Sequence, residues 1–263
     1  MEVIEKEIPY TRPDLFRIYP IGDIHAGSIH CVEDKIKAKV KTISEDEHAY
    51  IIGTGDWAEC ITKDDKRFDM AGLASWVKRD DIAESQRKWI VELFRPVKDK
   101  ILCLLTGNHE ETIRLHHQND ITRHICDDLG VAYGGYSCFL NLKFVRNGSY
   151  SFVLFHVFHG AGAAVTEGAR IQRLKRLIDT VTADIYLMGH LHSTGFYAPE
   201  KIELRNHKIK SIHKFAVITG SWVTAYSQGL PTSYAERLGY PPSKIGCPCV
   251  ILNPDKDIIN VEF

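Results

Sequence analysis

Eight polar side chains stand where apolar, strand-like runs of the sequence end. Each run has the character of a buried strand, and in each case a glycine lies beside the polar residue, where a close backbone approach is easiest. The polar residues at these ends are Asp23 and His25, Asp56, Asn108 and His109, His159, and His190 and His192. One such ending could be an ordinary turn, but five of them predict a shared chemical site.

The donor set of these residues contains oxygen and nitrogen atoms and no thiolate. Such a set suits manganese, iron or zinc rather than a structural, cysteine-rich zinc site. Two aspartates, one asparagine and four histidines are too many ligands for one tetrahedral ion. They suit two divalent ions about 3.5–4 Å apart that share a carboxylate, an arrangement that clamps both reacting oxygens of a phosphoryl centre. A bound ion can also lower the pKa of water from about 15.7 towards about 7, which supplies hydroxide at neutral pH.

Helical patterns lie between the strand-like runs. Apolar residues repeat at helical spacing in "VEDKIKAKVKTISED", "DIAESQRKWIVELF", "ITRHICDDLG" and "TEGARIQRLKRLIDTV". Alternating strands and helices predict βαβ units and a largely parallel sheet, in which ligands gather at the carboxyl ends of the strands. The polar residues are therefore expected to share one rim. The later strand patterns, "KIELRN", "KFAVITGSW", "CVILN" and "IINVEF", are expected to form a second sheet.

The composition fits a globular protein with a large core. The chain has 263 residues, of which 44% are hydrophobic, and a formal net charge of -1, which gives no electrostatic argument for a nucleic-acid or membrane partner. No apolar stretch approaches the roughly 20 residues that cross a bilayer, and the start lacks a signal-peptide pattern. Seven cysteines without a C-x-x-C pair indicate reduced thiols. We therefore expect a cytoplasmic protein that does not bind membranes.

We predict one domain over residues 1–263 with two added elements. The first is a helical insertion at about residues 60–80, which follows a ligand strand and could be a substrate-selecting cap or a helix packed on the body. The second is the segment 222–246, which is long for a loop in a compact domain. Its aromatic side chains could stack bases, form a dimer contact or pack down as an internal lid. These aromatic residues are Trp222, Tyr226, Tyr234 and Tyr240.

Five short motifs follow one another in a fixed order between residues 23 and 192. They are D-x-H in "GDIH", G-D in "GDW", "GNHE", H-G in "FHG", and "GHLH". With these motifs, each placed after a strand pattern, the chain resembles the calcineurin-like metallophosphoesterases. The resemblance implies an α/β fold, a four-layer αββα sandwich with two mixed β-sheets flanked by helices. It also implies a phosphoesterase that depends on two divalent metal ions.

The resemblance further implies a role for each motif residue. Asp23, His25 and His192 would hold the first ion, Asp56 would bridge, and Asn108, His159 and His190 would hold the second. Manganese is the first expectation for these ions, with iron and zinc as alternatives. His109 would not bind metal but would protonate the leaving oxygen, a contribution typically worth about 10²–10⁴-fold. From adjacency alone, we expect Glu110 to orient His109 through its ring nitrogen.

Three further histidines are expected outside the ligand set. His156 lies in the same strand pattern as His159 and should face the opposite side, so we interpret it as a core residue. His116 and His117 are expected in a polar, solvated loop beyond "GNHE", although either could approach the substrate.

The phosphate contact of protein phosphatases is missing from its usual place. Those members of the superfamily carry an arginine in G-D-x-x-D-R-G, whereas Asp56 is followed here by Trp57, Ala58, Glu59 and Cys60. Arg114 could replace the contact, and so could Arg170 at the start of a basic helix, which could also meet a nucleic-acid backbone. A solvated helix face is the alternative for both arginines.

We therefore expect a phosphodiesterase or nuclease acting on DNA, RNA or a nucleotide-like molecule. The resemblance permits diesters, the protein-phosphatase arginine is absent, and the aromatic segment and the basic helix could hold bases and backbone. A phosphomonoesterase on a small molecule or phosphoprotein is the first alternative. A non-catalytic binding module of the same fold is the second, and the complete ligand set with His109 argues against it. The oligomeric state is left open, with a dimer as one option.

Overall fold

The secondary structure is taken from a computed structural model, which describes residues 1–12, 14–256 and 258–263. The strands are β1 (Glu2–Pro9), β2 (Phe16–Ile21), β3 (Ala49–Gly53), β4 (Ile101–Leu104), β5 (Ser137–Arg146), β6 (Ser149–Phe158), β7 (Ile185–Met188), β8 (Thr194–Tyr197), β9 (Glu200–Arg205), β10 (Lys208–His213), β11 (Phe215–Thr219), β12 (Cys249–Asn253) and β13 (Ile258–Glu262). The α-helices are α1 (Glu33–Glu45), α2 (Ile82–Phe94), α3 (Asn108–His117), α4 (Ile121–Leu129), α5 (Glu167–Thr180) and α6 (Tyr234–Arg237). Short 3-10 helices cover Met70–Gly72 and Arg95–Lys100.

Two mixed sheets contain most of these strands. The larger sheet has the order β1-β5-β6-β7-β11-β8, and the smaller has the order β13-β12-β2-β3-β4. Strands β2, β3 and β4 run parallel to one another, and so do β6, β7 and β11. In each sheet the carboxyl ends of these parallel strands lie at one edge, and the polar residues of the sequence motifs follow those ends.

Alternating side chains of β2 fill apolar layers on both faces of the smaller sheet. Ile18 belongs to a buried cluster with Phe155 of the larger sheet, so the two sheets pack face to face. Its neighbour Tyr19 belongs to the outer cluster with Ile36 of α1 and Ile90 of α2. Because successive side chains of a strand point to opposite faces, one short strand contributes to two layers of the core.

The outer face of the larger sheet is covered by α5. Leu174 and Ile178 of this helix pack with Tyr186 and Met188 of β7 in a third buried cluster. The order of layers is therefore helix, sheet, sheet, helix. This arrangement confirms the predicted α/β architecture of mixed sheets flanked by helices.

The four helices predicted from apolar spacing are present as α1, α2, α4 and α5. The start and end of α4 also follow the sequence signals. The carboxylate of Asp120 accepts a hydrogen bond from the backbone N–H of Arg123 at 3.0 Å, and Gly130 ends the helix with φ +70°. Within the described ranges, every helix is too short or too polar to cross a bilayer.

The strands that follow residue 192 do not together form the second sheet, so this expectation was wrong. β11 lies inside the larger sheet, β12 and β13 extend the smaller one, and β9 and β10 form a separate two-stranded sheet. An apolar alternation identifies a strand but not its partner, which depends on the edge that the rest of the chain leaves open. The N-terminal strand β1 likewise takes an edge of the larger sheet, paired in parallel with β5.

Residues 60–80 are not the helical insertion that we predicted. The segment consists of turns and the single 3-10 turn Met70–Gly72. Aspartate side chains favour turns here, because Asp65 accepts a hydrogen bond from Arg67 N at 2.8 Å and Asp69 accepts one from Ala71 N at 2.9 Å. The end of the segment is attached to the body, where Trp76 Nε1 donates to Glu33 Oε1 at 2.6 Å.

The motif "GNHE" begins helix α3, and His116 and His117 therefore lie in its last turn rather than in the loop that we expected. Both side chains are exposed. Glu110, at the third helical position, accepts a hydrogen bond from the N-cap residue Gly107 at 2.9 Å, which starts the helix. Acidic residues in the first turn and basic residues in the last turn complement the helix dipole.

Candidate metal centre

The loops after β2 and β3 run side by side and are joined by backbone hydrogen bonds. Asp23 N donates to Gly55 O at 2.8 Å, Ile24 N to Asp56 O at 2.8 Å, and Ala26 N to Trp57 O at 2.9 Å. These bonds continue the parallel pairing of the two strands beyond their ends. They bring Asp23 and Asp56 to the same edge although the two residues are 33 positions apart in the chain.

Five of the predicted ligands have left-handed backbone conformations. Their φ angles lie between 46° and 68°, in a region that costs a side-chain-bearing residue on the order of 1–3 kcal/mol. The turns aim these side chains towards one point instead of letting them alternate as in a strand. The five residues are Asp23, His25, Asp56, His190 and His192.

Gly107 permits a close approach between the loops after β3 and β4. A Cβ atom at this position would lie 2.0 Å from Asp56 Oδ1 and 2.1 Å from Asp56 N. Both distances are far shorter than the contacts that real Cβ atoms make with non-bonded atoms. The glycine before Asn108 in "GNHE" is therefore required by the neighbouring aspartate, not only by the turn in its own chain.

The first group of converging donors contains Asp23, His25, Asp56 and His192. One donor atom from each lies within 4.8 Å of the others. His25 Nε2 and His192 Nε2 are 3.0 Å apart, and Asp23 Oδ1 lies 3.5 Å from His192 Nε2. Two imidazole nitrogens this close, with carboxylate oxygens beside them, could hold one divalent ion.

The second group contains Asp56, His159 and His190, again within 4.8 Å. Asn108 belongs with them, because its amide oxygen lies 3.0 Å from His159 Nε2 and 2.7 Å from His190 Nδ1. All seven residues predicted as ligands are thus brought to one rim. They fall into two groups that could hold two ions, as the sequence motifs suggested.

Asp56 belongs to both groups through a single carboxylate oxygen. Its Oδ2 atom lies 3.7 Å from His25 Nε2 in the first group and 3.4 Å from His159 Nε2 in the second. Its other oxygen, Oδ1, accepts a hydrogen bond from the backbone N–H of His109 at 3.0 Å. The carboxylate is therefore fixed on one side and leaves Oδ2 between the two sets of histidines.

Two of the histidines, His159 and His25, are oriented by hydrogen bonds from the ring nitrogen that faces away from the donor groups. His159 Nδ1 lies 2.7 Å from Thr54 O. Because a carbonyl oxygen can only accept a hydrogen bond, this nitrogen carries the proton, and Nε2 is the atom that could bind metal. His25 Nδ1 lies 2.9 Å from the carboxylate of Glu59. Partners of this kind hold the rings of metal-binding histidines in many proteins.

The charges of the two groups fit a site for cations. Burial raises the pKa of Asp23 to about 7. Burial also opposes the ionisation of Asp56, but the charges of His159 and His109 hold the pKa of Asp56 well below its usual value. Among the ion pairs of the described residues, both aspartates pair with histidines and with no lysine or arginine. Buried carboxylates without a permanent protein cation are the donor set that divalent ions require.

Glu110 does not orient His109, so that expectation was wrong. Its carboxylate is fully buried and accepts three backbone hydrogen bonds, from Gly107 N at 2.9 Å, Asp56 N at 3.1 Å and Ala58 N at 2.9 Å. Burial and the charge of Asp56 raise the pKa of Glu110, and two of these N–H groups oppose that shift. The residue joins the loops after β3 and β4 beneath the donor groups.

His109 is held instead by the main chain of Glu59. Its Nδ1 lies 2.5 Å from Glu59 O, and its ring makes an edge contact with the ring of His25 at 4.5 Å between centroids. Sequence analysis overlooked Glu59, which reaches both histidines. The only signal in the sequence was an acidic residue three positions after Asp56, which resembles any other surface glutamate.

Three residues discussed from the sequence lie outside the two donor groups. They are the two arginines that could contact phosphate, Arg114 and Arg170, and the histidine His156. Arg114 is on an exposed face of α3 and pairs with Glu111 at 2.6 Å, and Arg170 Nε donates to Ala164 O at 3.2 Å. His156 lies in strand β6 of the larger sheet and is buried beside Tyr186, as expected for a core residue. The geometry therefore gives neither arginine a contact with the predicted ligands among the hydrogen bonds and ion pairs of the described residues.

Glu110→Gln should lower the free energy of unfolding of the metal-free protein by about 2–4 kcal/mol. The amide would place an N–H donor against at least one backbone N–H, and hydrogen bonds to a buried charged group are worth about 1.5–3 kcal/mol each. Urea unfolding measures the change. Glu111→Gln, at the next position and partly exposed, is the matched control and should cost less than about 1 kcal/mol. Equal losses in the two variants would contradict the supporting role of Glu110.

Comparison with known proteins assigns the chain to a family. A sequence model of the calcineurin-like phosphoesterases matches residues 16–194, which is more than half of the chain and includes all five motifs. A search of curated proteins gave no match. The chain is similar to the solved structure of a metallophosphoesterase from Sphaerobacter thermophilus, with 13% identity, a TM-score of 0.41, and coverage of 94% of this chain and 87% of that one.

A conserved uncharacterized protein from Streptococcus pneumoniae TIGR4, described as a predicted phosphoesterase, gives 14% identity and a TM-score of 0.36, with coverage of 94% and 88%. These TM-scores are low, so the assignment rests on the sequence match and on the motif residues at the rim. The chain belongs to the calcineurin-like phosphoesterase family, and the protein is a hydrolase that acts on phosphate esters.

Proposed function

We propose that the protein is a two-metal phosphodiesterase that acts on a nucleic acid or a nucleotide-like substrate. The observation that supports a two-metal site is the single oxygen of Asp56 that lies between two groups of donors, 3.7 Å from His25 Nε2 and 3.4 Å from His159 Nε2. One carboxylate oxygen in such a position can serve two ions, whereas a site for one ion would need only one of the groups.

The proposed ligands are those named from the motifs. Asp23, His25 and His192 would hold one ion with Asp56, and Asn108, His159 and His190 would hold the other. Manganese is the ion we propose first, because oxygen and imidazole donors without thiolate suit it, and iron and zinc remain alternatives. Two such ions would generate the nucleophile from water at neutral pH and offset the charge of the phosphoryl oxygens.

His109 is the proposed general acid. Because Glu59 O can only accept a hydrogen bond, the proton shared at 2.5 Å belongs to His109 Nδ1. The ring therefore exchanges protons through Nε2, and this is the atom that would protonate the leaving oxygen. The backbone N–H of the same residue is bonded to Asp56 Oδ1 at 3.0 Å, which ties the acid to the proposed bridging ligand.

Two segments beside the rim are the proposed substrate-selecting elements. Residues 60–80 and residues 222–246 both attach to the chain that follows His25, through hydrogen bonds from Ile29 N to Gly72 O at 2.8 Å and from Thr224 N to His30 O at 3.0 Å. Arg237 and Asp69 join the two segments at 3.8 Å. They therefore lie next to each other on the side of the proposed first ion.

The aromatic residues of the segment 222–246 differ in what they could contact. Trp222 is buried, 2% exposed, and its backbone N–H donates to Asp23 O at 3.0 Å, so it supports the site and cannot stack on a base. Tyr226 and Tyr234 are exposed, and Tyr226 donates its hydroxyl proton to Tyr240 O at 2.8 Å. Exposed rings of this kind can stack on nucleobases.

Arg67 is a candidate for the phosphate contact that the sequence motif lacks. It is held by Asp65 through Nε at 3.1 Å and Nη2 at 2.7 Å. The hydrogen bond with Asp65 raises the pKa of Arg67 most, and the charges of Asp65, Glu59 and Asp56 raise it further. Arg114 and Arg170 remain weaker candidates, because each is bonded on the surface and neither lies on the 60–80 or the 222–246 segment.

The cellular location and the oligomeric state of the protein stay predictions. We propose a cytoplasmic protein on the basis of its cysteine pattern, which lacks C-x-x-C pairs and has an odd number of thiols. The oligomeric state stays open, with a dimer as one option.

His109→Ala should bind two manganese ions as the wild type does but lose about 10²–10⁴-fold in kcat, because the leaving oxygen would depart unprotonated. Metal content after dialysis and steady-state rates measure the two properties separately. His117→Ala, an exposed histidine on the same helix, is the control and should keep the wild-type rate. Unchanged turnover in His109→Ala would remove this residue from the mechanism.

The substrate proposal predicts that purified protein with manganese cleaves bis-aryl phosphodiesters and single-stranded DNA. Exposed tyrosines and a cation on the 60–80 segment favour such substrates over a small phosphomonoester. In the same assay, Arg67→Ala should raise KM for the diester by about 10-fold, the value of one charged contact of roughly 1.4 kcal/mol. Arg95→Ala, which removes an exposed arginine paired with Glu92, is the control and should leave KM unchanged. Efficient cleavage of aryl phosphomonoesters, with diesters and DNA untouched, would favour the phosphomonoesterase alternative.

A further inference from the structure

Glu59 contacts two different histidines with two different groups. Its carboxylate oxygen Oε2 lies 2.9 Å from His25 Nδ1, and its main-chain oxygen lies 2.5 Å from His109 Nδ1. The carboxylate also lies within 4.8 Å of a ring nitrogen of His109, but its hydrogen bond is with His25. One residue therefore orients a proposed metal ligand and the proposed general acid by separate means.

The carboxylate determines which nitrogen of His25 faces the donor groups. An ionised carboxylate only accepts hydrogen bonds, so His25 Nδ1 carries a proton and the lone pair of the neutral ring resides on Nε2. Nε2 is the atom that lies 3.0 Å from His192 Nε2 and 3.7 Å from Asp56 Oδ2. A carboxylate behind a histidine ligand also increases the basicity of the ring, which strengthens its bond to a metal ion.

The main-chain oxygen does not depend on the side chain of Glu59 for its position. The backbone around it is bonded on both sides, with Glu59 N donating to Ala26 O at 3.0 Å and Cys60 N donating to Gln86 Oε1 at 2.9 Å. Ala58 N is bonded to the buried carboxylate of Glu110. Removing the side chain of Glu59 should therefore leave the support of His109 in place.

We propose that Glu59 is a positioning residue whose carboxylate tunes metal affinity through His25, while its carbonyl alone aligns His109. The inference rests on the proposed two-metal function. It separates the effect of Glu59 on metal affinity, through His25, from its effect on proton transfer, through His109. Substitution of the side chain should weaken one metal site and leave proton transfer at saturating metal largely intact.

Calorimetric titration of metal-stripped, full-length protein with Mn²⁺ tests this inference directly. For wild type we expect two ions bound. Glu59→Ala should weaken one binding step about 10–100-fold, the effect typical of removing the partner behind a histidine ligand. Glu59→Gln should weaken it less, because the amide oxygen still accepts the proton of His25 Nδ1. Glu45→Ala, which removes an exposed glutamate at the end of α1, is the control and should bind as the wild type does.

Turnover at saturating Mn²⁺ supplies the second measurement. Glu59→Ala should stay within about 10-fold of the wild-type kcat, whereas His109→Ala should lose about 10²–10⁴-fold. Thermal unfolding of both Glu59 variants checks that each is folded, and Glu59→Gln, which preserves size and hydrogen-bonding capacity, carries the test if the alanine variant is not.

Two results would overturn the inference while leaving the proposed function standing. One is binding of both ions by Glu59→Ala and Glu59→Gln as tightly as by wild type. The other is a loss of turnover in saturated Glu59→Ala as large as that in His109→Ala, which would assign the carboxylate to the general acid. A wild type that binds no Mn²⁺ would overturn both the inference and the proposed function, so the two failures are distinguishable.

Discussion

The arrangement of the rim depends on a buried carboxylate, Asp56, held between loops from different strands. One of its oxygens is fixed by the backbone of His109, and its peptide N–H is fixed by Glu110. The other oxygen is left between the two sets of histidines. Backbone hydrogen bonds join the surrounding loops, and the bond from His109 N to Oδ1 holds the carboxylate towards the donors. The proposed ligands form two groups, and Asp56 is the side chain that belongs to both.

This placement carries a conformational cost that the fold supports elsewhere. Five donor residues adopt φ angles between 46° and 68°, and Gly107 leaves no room for a Cβ atom beside Asp56. Buried carboxylates and imidazoles are also crowded together. Burial lowers the pKa of His190 and of His192, whereas for His159 the charge of Asp56 outweighs burial and raises the pKa to about 9. Binding of divalent cations would relieve that crowding.

Sequence alone predicted the layers of the fold, four helices and the eight polar residues of the rim. These features could be predicted because apolar periodicity and short motifs are local properties of the sequence. Glu110 was misjudged because its partners are three backbone N–H groups, two of them more than 50 residues away in the chain. Glu59 was overlooked for the same reason, since its contact with His25 spans 34 residues.

Two errors in the fold have different origins. The strands after residue 192 were recognised, but their sheets were not, because the open edge that each strand fills is decided by the whole chain. Residues 60–80 have apolar residues at nearly helical spacing, yet aspartate side chains bonded to the backbone turn the segment into loops. The strand error therefore comes from long-range pairing that the sequence does not display, whereas in residues 60–80 local aspartate hydrogen bonds compete with the apolar pattern.

The central claim is that two cations are held on either side of Asp56. Anomalous diffraction from crystals of the full chain grown with Mn²⁺ tests it most directly. We expect two manganese peaks at the rim, one beside His25 and His192, the other beside His159 and His190, with Asp56 between them. A single peak, or none, with Asp56 turned away from both histidine pairs would contradict the account.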